Sequence, residues 1–555
     1  MYEREAFAQA SARAGIVAPG SFVPHPPANA LLLAPLAGLR PRAARAAWGA
    51  VLLLAWGGAF LILGRSREGL HWSWRAVAFL VPTAALANAV AYGQPYPLLA
   101  LLLALAFALL ERGRAFAAGL CLAPVLILKL YALPFLLRFL LTRRGLAAAG
   151  LGAGAVILTG AYLLLLGPKV HLAYLREVLP ASLQGRIQDP YSPVWGSLTS
   201  LVLRLFAYEP DLNPEPALDR PALAAVLGAA LPVFVMSLVL LARAPGSAAE
   251  GRRDWALVCF AALAASPLTA TYHFVLLAVP AALLLGGLAP PGRVALLALV
   301  AFATSILPHS FLPLARGWSN LLAYPRLAAV LVLVLWAGAP LLSPARVAVA
   351  LLPALLAGAA ARPPPDAGWT RVREAGGYLA AAPAPCAGVL HWLSVDGDGW
   401  LAVGPSGRRR LSGPFLRCVD GALVTHPRAL AAAPGALPGD ADRLGDVEVW
   451  VEPPEDPDRL REWRGGVTRT LVAGRVRGPR LSPDASRVAY QVWRDGSWNV
   501  EVVSRATLEI VPLTRHPANE VEPAWLSESV VVFASDQGRG LGSTALYVTS
   551  LPPGR

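Results

Sequence analysis

From Ala28 to Ala361 the chain is a succession of apolar runs separated by short turns, and no other feature limits the fold as strongly. A stretch at 28–39 and a span near 46–64 precede runs at 76–92, 96–110, 115–128, 131–142, 146–167, 221–243, 255–267, 272–289, 293–308, 321–342 and 345–361. A soluble domain cannot place this much apolar surface, and with 56% hydrophobic residues, 15% charged residues and a mean hydropathy of +0.53 the chain belongs in lipid. Several runs are shorter than the ~20 residues that a perpendicular helix needs. Broken or tilted helices are therefore expected, with Pro97, Pro124, Pro134, Pro267 and Pro280 as expected kinks.

The formal charge of +14 arises in this apolar part: residues 1–361 carry 26 Lys+Arg against 12 Asp+Glu, and residues 362–555 carry 22 of each. Cations confined to short loops between apolar runs follow the positive-inside rule, so nucleic acid is set aside as a partner. Placing 65–75, 111–114, 138–145, 243–254, Arg293 and Arg346 in the cytoplasm closes the alternation for eleven runs and puts the C-terminal part outside. The segment Arg40-Pro41-Arg42 with Arg45 reads as a basic turn on the outer side, an exception to that rule. The abundance of Ala, Leu, Arg, Gly and Pro reflects a GC-rich coding sequence and suggests a bacterial inner (plasma) membrane.

After Arg362 the pattern changes. Pro363-Pro364-Pro365 reads as a stiff linker, followed by short β-type runs punctuated by Gly, Pro and Asp. The expected division is an external loop remnant at 1–25, a multi-pass transmembrane domain at 26–361, a linker at 362–385 and a β domain at 386–555. Within the last, Leu471 to Leu513 and Pro479 to Pro523 mark a repeat of 42 to 44 residues, the period of a four-stranded propeller blade. The Pro479-Arg-Leu-Ser482-Pro483-Asp484 stretch, Tyr490, Trp498 and the partner stretch Pro523-Ala-Trp525 resemble the TolB-like β-propeller repeat, most clearly over 471–550. Ala485 stands where that repeat prefers Gly. The fold class is thus a multi-pass α-helical membrane domain followed by an all-β, propeller-like extracytoplasmic domain, with roughly four blades at that period. Either the early blades are degenerate, or the array is open, or it closes with another chain.

Four cysteines exclude a disulfide scaffold, and none has metal-ligand spacing, so no metal and no cofactor is expected. Cys121 and Cys259 fall in apolar runs as packing residues. Cys386 and Cys418 can bridge if their half faces an oxidising compartment.

Polar groups inside apolar runs carry the functional information, because an ionisable group in lipid is costly unless it faces a cavity or a partner. Three places qualify: Tyr92-Gly93-Gln94-Pro95, Leu128-Lys129-Leu130-Tyr131 with Pro134, and Ser266-Pro267-Leu268-Thr269 with Tyr272-His273. The topology puts all three at the external face. Together with Pro26-Pro27, Leu31 to Leu36, Leu98 to Leu110, Glu111-Arg112-Gly113-Arg114 and Ala118-Gly119-Leu120, their order resembles glycosyltransferase family 87, the polyprenyl-phosphate-mannose-dependent mannosyltransferases of GT-C fold, over about 20–345.

That resemblance implies transfer of a hexose from a polyprenyl-phosphate-linked donor to a glycan or lipid acceptor on the outer side of the membrane. Lys129 is then the expected phosphate ligand, against the alternative of a snorkelling lysine. Gln94, His273 and His25 are the further substrate-binding candidates, although a helix-end cap for Gln94 and a satisfied core histidine for His273 are the plainer readings. His25 stands where the family usually has Tyr before Pro26-Pro27. The family's catalytic acid follows a first transmembrane helix that has no counterpart before Met1-Tyr2-Glu3-Arg4-Glu5. The catalytic residue is therefore unassigned, with Glu3, Glu5 and Asp189 as weak candidates and Glu177 as another external acid, each otherwise a solvated loop charge. The alternative is an inactive membrane-anchored protein whose propeller binds an envelope partner.

Overall fold

The computed structural model describes residues 25–64, 72–305, 316–362, 367–377, 379–396, 399–412, 415–419, 421–425, 440–452 and 458–552. The loop remnant with Glu3 and Glu5 lies outside them, apart from His25. The apolar runs become helices with nearly the expected bounds. Pro41–Gly64, Gly145–Leu166 and Pro221–Leu241 are long and apolar enough to cross a membrane, and Trp72–Leu80 with Thr83–Ala91 forms a pair bent by 48°. Shorter apolar helices include Tyr96–Glu111, Ala115–Lys129, Pro290–Thr304, Pro325–Gly338 and Pro344–Ala360.

The prolines act differently from expectation. The sharp bend falls at Val81-Pro82, where the proline lacks an N–H and disfavours helix in the residue before it. Pro97 and Pro134 instead start helices, where their missing donor would have had no partner. Pro41 does the same, so Arg42 and Arg45 stand in the first turns of a 24-residue helix and the expected basic turn is absent.

Ala248–Ala265 forms the centre of the helical core. Every residue from Asp254 to Ala264 is buried, as befits a helix that is apolar all round. At one end of the bundle Arg138 donates from Nε to Asp254 Oδ1 (2.8 Å) and from its other nitrogens to the carbonyls of Ala242 (2.6 Å) and Arg243 (2.7 Å). Arg243 pairs with Glu250 nearby, and Arg252 lies 4.0 Å from Glu111. The loops expected to share one side by their arginines thus meet at one face.

Ala115–Lys129 and Gly145–Leu166 are pressed together backbone to backbone. A Cβ on Gly150 would lie 2.0 Å from Phe116 O, and one on Gly119 2.1 Å from Ala147 O. Gly150 and Gly154 form the small-xxx-small spacing that permits such an approach. Gly150→Val must separate the two helices and shift Lys129 at the end of the first; we expect loss of the monodisperse folded protein in detergent, whereas Gly152→Ala, where nothing lies within 4 Å, should leave it unchanged.

The β domain begins earlier than the expected residue 386. Its strands are β1 (Thr370–Arg371), β2 (Ala381–Cys386), β3 (Val389–Asp396), β4 (Gly399–Gly404), β5 (Gly407–Leu411), β6 (Arg417–Val419), β7 (Ala422–Val424), β8 (Ala441–Leu444), β9 (Val447–Glu452), β10 (Arg459–Arg464), β11 (Val467–Ala473), β12 (Val476–Leu481), β13 (Arg487–Arg494), β14 (Ser497–Ser504), β15 (Ile510–Pro512), β16 (Glu520–Trp525), β17 (Val530–Ser535) and β18 (Ala545–Ser550). Among the described residues they make four four-stranded antiparallel sheets, β2–β5, β8–β11, β12–β15 and β16–β18 with β1, plus the hairpin β6–β7. The opening strands β8, β12, β16, β2 and β6 pack on one another in that order, a propeller-like arrangement in which β6–β7 is an abbreviated sheet.

Cys386 on β2 is bonded to Cys418 on β6, which ties that short hairpin to its neighbour. Ala485 has φ +56°, so the preference for Gly at that turn is explained by the left-handed backbone it requires. The turn holds because Asp484 Oδ1 accepts from Ser482 Oγ (2.6 Å) and Ser486 N (3.0 Å).

The loop 168–220 carries the β domain. Arg539, 1% exposed, donates to Glu209 Oε1 (2.9 Å), Asp211 Oδ2 (3.1 Å) and the carbonyls of Gly377 (2.7 Å) and Ser543 (2.8 Å). Arg371 of β1 pairs with the same two acids. Burial alone would raise the Glu209 carboxyl, but Arg539 and Arg371 more than offset it and hold it below its ordinary value. Arg475 reaches Glu177 (2.9 Å), Tyr191 Oη donates to Gly538 O (2.9 Å), and Gly540 lies so close to Gln188 O that a Cβ there would be 2.1 Å away.

Candidate functional site

The same loop touches the last of the three polar turns. Gly196 N donates to Thr269 O (3.0 Å) and Ser197 Oγ to Pro267 O (2.7 Å), so the turn at 266–271 lies on the face that bears the β domain. The Gly93 corner is held by Trp48 Nε1 donating to Gly93 O (2.8 Å) and by Arg45 donating to Ala91 O (3.1 Å).

Lys129 is the last residue of its helix. Leu130 adopts φ +56° and returns its N–H to Leu126 O (2.9 Å), which ends the helix and leaves the lysine at its tip. The ammonium lies 3.5 Å from His25 Nδ1 and 5.5 Å from the ring centre of Tyr96. Tyr96 opens Tyr96–Glu111, directly after Gln94-Pro95, and its ring centre is 4.4 Å from His273 and 5.4 Å from Tyr272. Tyr131 stands 6.2 Å from Tyr96 and donates to Ser266 Oγ (3.4 Å). Tyr92 and Tyr272 extend this aromatic wall, 6.4 Å apart.

His273 is buried, with Nδ1 accepting from Ala270 N (2.9 Å), which leaves the proton of the neutral ring on Nε2. Lys129, His25 and His273, far apart in sequence, therefore stand around one tyrosine. Among the described residues no carboxylate pairs with Lys129. A half-buried cation faced by neutral rings is electrostatically suited to an anion and to stacking against a sugar's apolar face.

Gln94 sits at the same corner, and its backbone N–H closes the preceding helix by donating to Ala89 O (2.8 Å). Asp189 is elsewhere. Its Oδ1 accepts from Tyr191 N (2.9 Å) and its carbonyl from Trp195 Nε1 (2.7 Å), which makes it a turn-former beneath the β domain. Burial raises its carboxyl above the usual range despite Arg539 and Arg204. Glu177 is committed to Arg475. Among the described residues no group of three His, Cys, Asp or Glu could hold a metal ion.

Sequence reasoning missed Tyr96 as the centre of the cluster. A usable signal existed, since Tyr92, Tyr96, Tyr131 and Tyr272 are four of only 13 tyrosines and all flank the three polar turns.

Apolar helices thus carry a lysine and two histidines among tyrosine rings, and a β domain is anchored on the loop 168–220. Comparison points to a particular family: residues 22–267 match the model of glycosyltransferase family 87, which supports a membrane glycosyltransferase. The match includes His25, Gln94, Lys129 and Asp189 and stops short of His273.

No curated protein matches the chain. Among solved structures, a putative TolB from Agrobacterium tumefaciens is 13% identical, covering 33% of this chain and 64% of that one, with a TM-score of 0.20. TolB from Acinetobacter baumannii is 12% identical over 33% and 42%, with a TM-score of 0.18. The isopeptidase AtxE2 is 12% identical over 22% and 29%, with a TM-score of 0.19. The chain spans less than two thirds of the length of each.

Proposed function

We propose that this glycosyltransferase moves a hexose, mannose in the first instance, from a polyprenyl-phosphate donor to a glycan or lipid acceptor on the outer side of the bacterial inner membrane. The observation that carries the reading is the Lys129 ammonium, set between His25 and Tyr96 with no acid beside it among the described residues, which suits it to a lipid-linked phosphate. The aromatic wall of Tyr96, Tyr131 and Tyr272 supplies the surface for the sugar, and His273 Nε2 a donor toward it. The outward orientation is supported by the arginine-rich loops at the opposite face and by the Cys386–Cys418 bond, which persists in an oxidising compartment. The propeller-like domain is then extracytoplasmic and open to an envelope partner.

The test is sugar transfer by the full chain reconstituted with membrane lipids. Polyprenyl-phosphate-mannose should donate its sugar and GDP-mannose should not. Transfer from the nucleotide sugar alone would refute the lipid-donor reading, and binding of the lipid donor without turnover would favour the inactive alternative. A phosphatase fused after Arg555 should be active only if the C-terminus lies outside.

A further inference from the structure

Arg326 is a buried guanidinium with no counter-charge among the described residues. It is 3% exposed, in the first turn of Pro325–Gly338, and donates from one terminal nitrogen to Thr271 Oγ1 (2.8 Å) and from the other to the carbonyl of Ser305. Its Nε has no hydrogen-bond partner, and its flat face lies 5.7 Å from the ring centre of Phe274. Both partners are neutral. Three other deeply buried arginines are neutralised: Arg138 by Asp254, Arg505 by Glu462, Arg539 by Glu209 and Asp211. Nor can the nearby chain supply an acid, because residues 255–362 contain no Asp or Glu at all.

A buried charge left without an opposite charge is strongly unfavourable, so a site that keeps one is arranged for an anion that arrives from outside. The location narrows which anion. Thr271 is two residues before His273 in the 3-10 turn Thr271–Leu277, so Lys129 approaches this turn from the His273 side and Arg326 from the Thr271 and Phe274 side. Gly196, on the loop that bears the β domain, is packed on Arg326 and Phe274. The guanidinium therefore sits just beneath the loop that bears the β domain, the face at which the proposed lipid phosphate would bind.

We propose that Arg326 is a second anion-binding residue, which takes a phosphate oxygen through its unpartnered Nε and an adjoining N–H while Thr271 holds the guanidinium in place. Arg is suited to this task because its planar fork presents paired donors, whereas Lys129 acts as a point charge. The inference rests on the lipid-phosphate reading for the choice of ligand. The uncompensated charge itself stands on geometry alone.

The experiment measures binding of polyprenyl phosphate, of inorganic phosphate and of phosphatidic acid to the full chain in detergent, by native mass spectrometry and by the thermal shift each produces. Wild-type protein should be stabilised by polyprenyl phosphate, and Arg326→Gln, which keeps a side-chain donor but removes the charge, should lose at least tenfold in affinity. Arg326→Lys should recover part of it, and it also serves if the Gln variant does not fold. Equal polyprenyl-phosphate affinity in wild type and a folded Arg326 variant would overturn the assignment while leaving the lipid donor intact. Arg326-dependent binding of phosphatidic acid or inorganic phosphate, without binding of polyprenyl phosphate, would keep the anion site and refute the lipid-donor reading. No Arg326-dependent binding of any of the three would refute the site.

Discussion

Replacement of Arg539 by methionine will detach the β domain from the membrane half before either half unfolds. The substitution leaves Glu209 and Asp211 facing Arg371 alone, and it strips two carbonyls of their donor in a place that is 1% exposed. Removal of one partner from a buried charged network costs about 3–5 kcal/mol. The expected readout is a new proteolytic cut on the β1 side of the boundary and faster hydrogen exchange at Thr370 and Arg371, in the full chain. Arg539→Lys should show a smaller effect, and an unchanged exchange pattern in Arg539→Met would refute the view of this cluster as the anchor. The anchor should also fail in acid. Glu209 is held below its ordinary value in the folded chain, so its contribution is complete above its unfolded value of about 4.5 and disappears as pH falls through the folded one.

Lys129→Met is expected to lower donor affinity on the order of tenfold to a hundredfold, the equivalent of about 1.5–3 kcal/mol for a charge-assisted contact. Methionine preserves the apolar stem and removes only the ammonium, so the helix end at Leu130 and the packing beneath it should survive. Binding of polyprenyl-phosphate-mannose, rather than turnover, is the appropriate measurement, since lost activity alone could follow from misfolding. Unchanged affinity in a well-folded variant would return Lys129 to an interfacial, snorkelling role.

Much of this organisation was readable from periodicity and composition. Apolar runs marked the helices, because lipid enforces that pattern locally, and the 42- to 44-residue repeat marked the later sheets. The pairing of Cys386 with Cys418 was visible because few cysteines compete for partners. Lys129 and His273 could be singled out as polar residues in apolar runs. What local pattern cannot encode is which distant residues meet. Glu209 and Asp211 look like ordinary loop acids, and their partners lie 160 to 330 residues away. Arg326 lies in the apolar run 321–342, and only the fold shows that its partners are a hydroxyl and a carbonyl. The expected linker at 362–385 failed for the same reason: Thr370 and Arg371 have no strand-like pattern of their own and become a strand only by pairing with Val548 and Tyr547.

That pairing has a consequence for how the protein is made. Of the β domain, the outermost strand of the last sheet, β1 at Thr370–Arg371, emerges from the ribosome first, and its three companions, β16 to β18 at Glu520–Trp525, Val530–Ser535 and Ala545–Ser550, emerge last. The array is latched only when the two ends meet, a distant contact that makes closure slow compared with formation of the hairpins between them. Arg371, on the early strand, and Arg539, on the late segment, bind the same two acids of the membrane half. A chain that stalls or is cut before Arg539 would therefore expose both an unlatched sheet edge and a half-neutralised acidic pair at the membrane surface. Complete anchorage therefore requires both ends of the β domain.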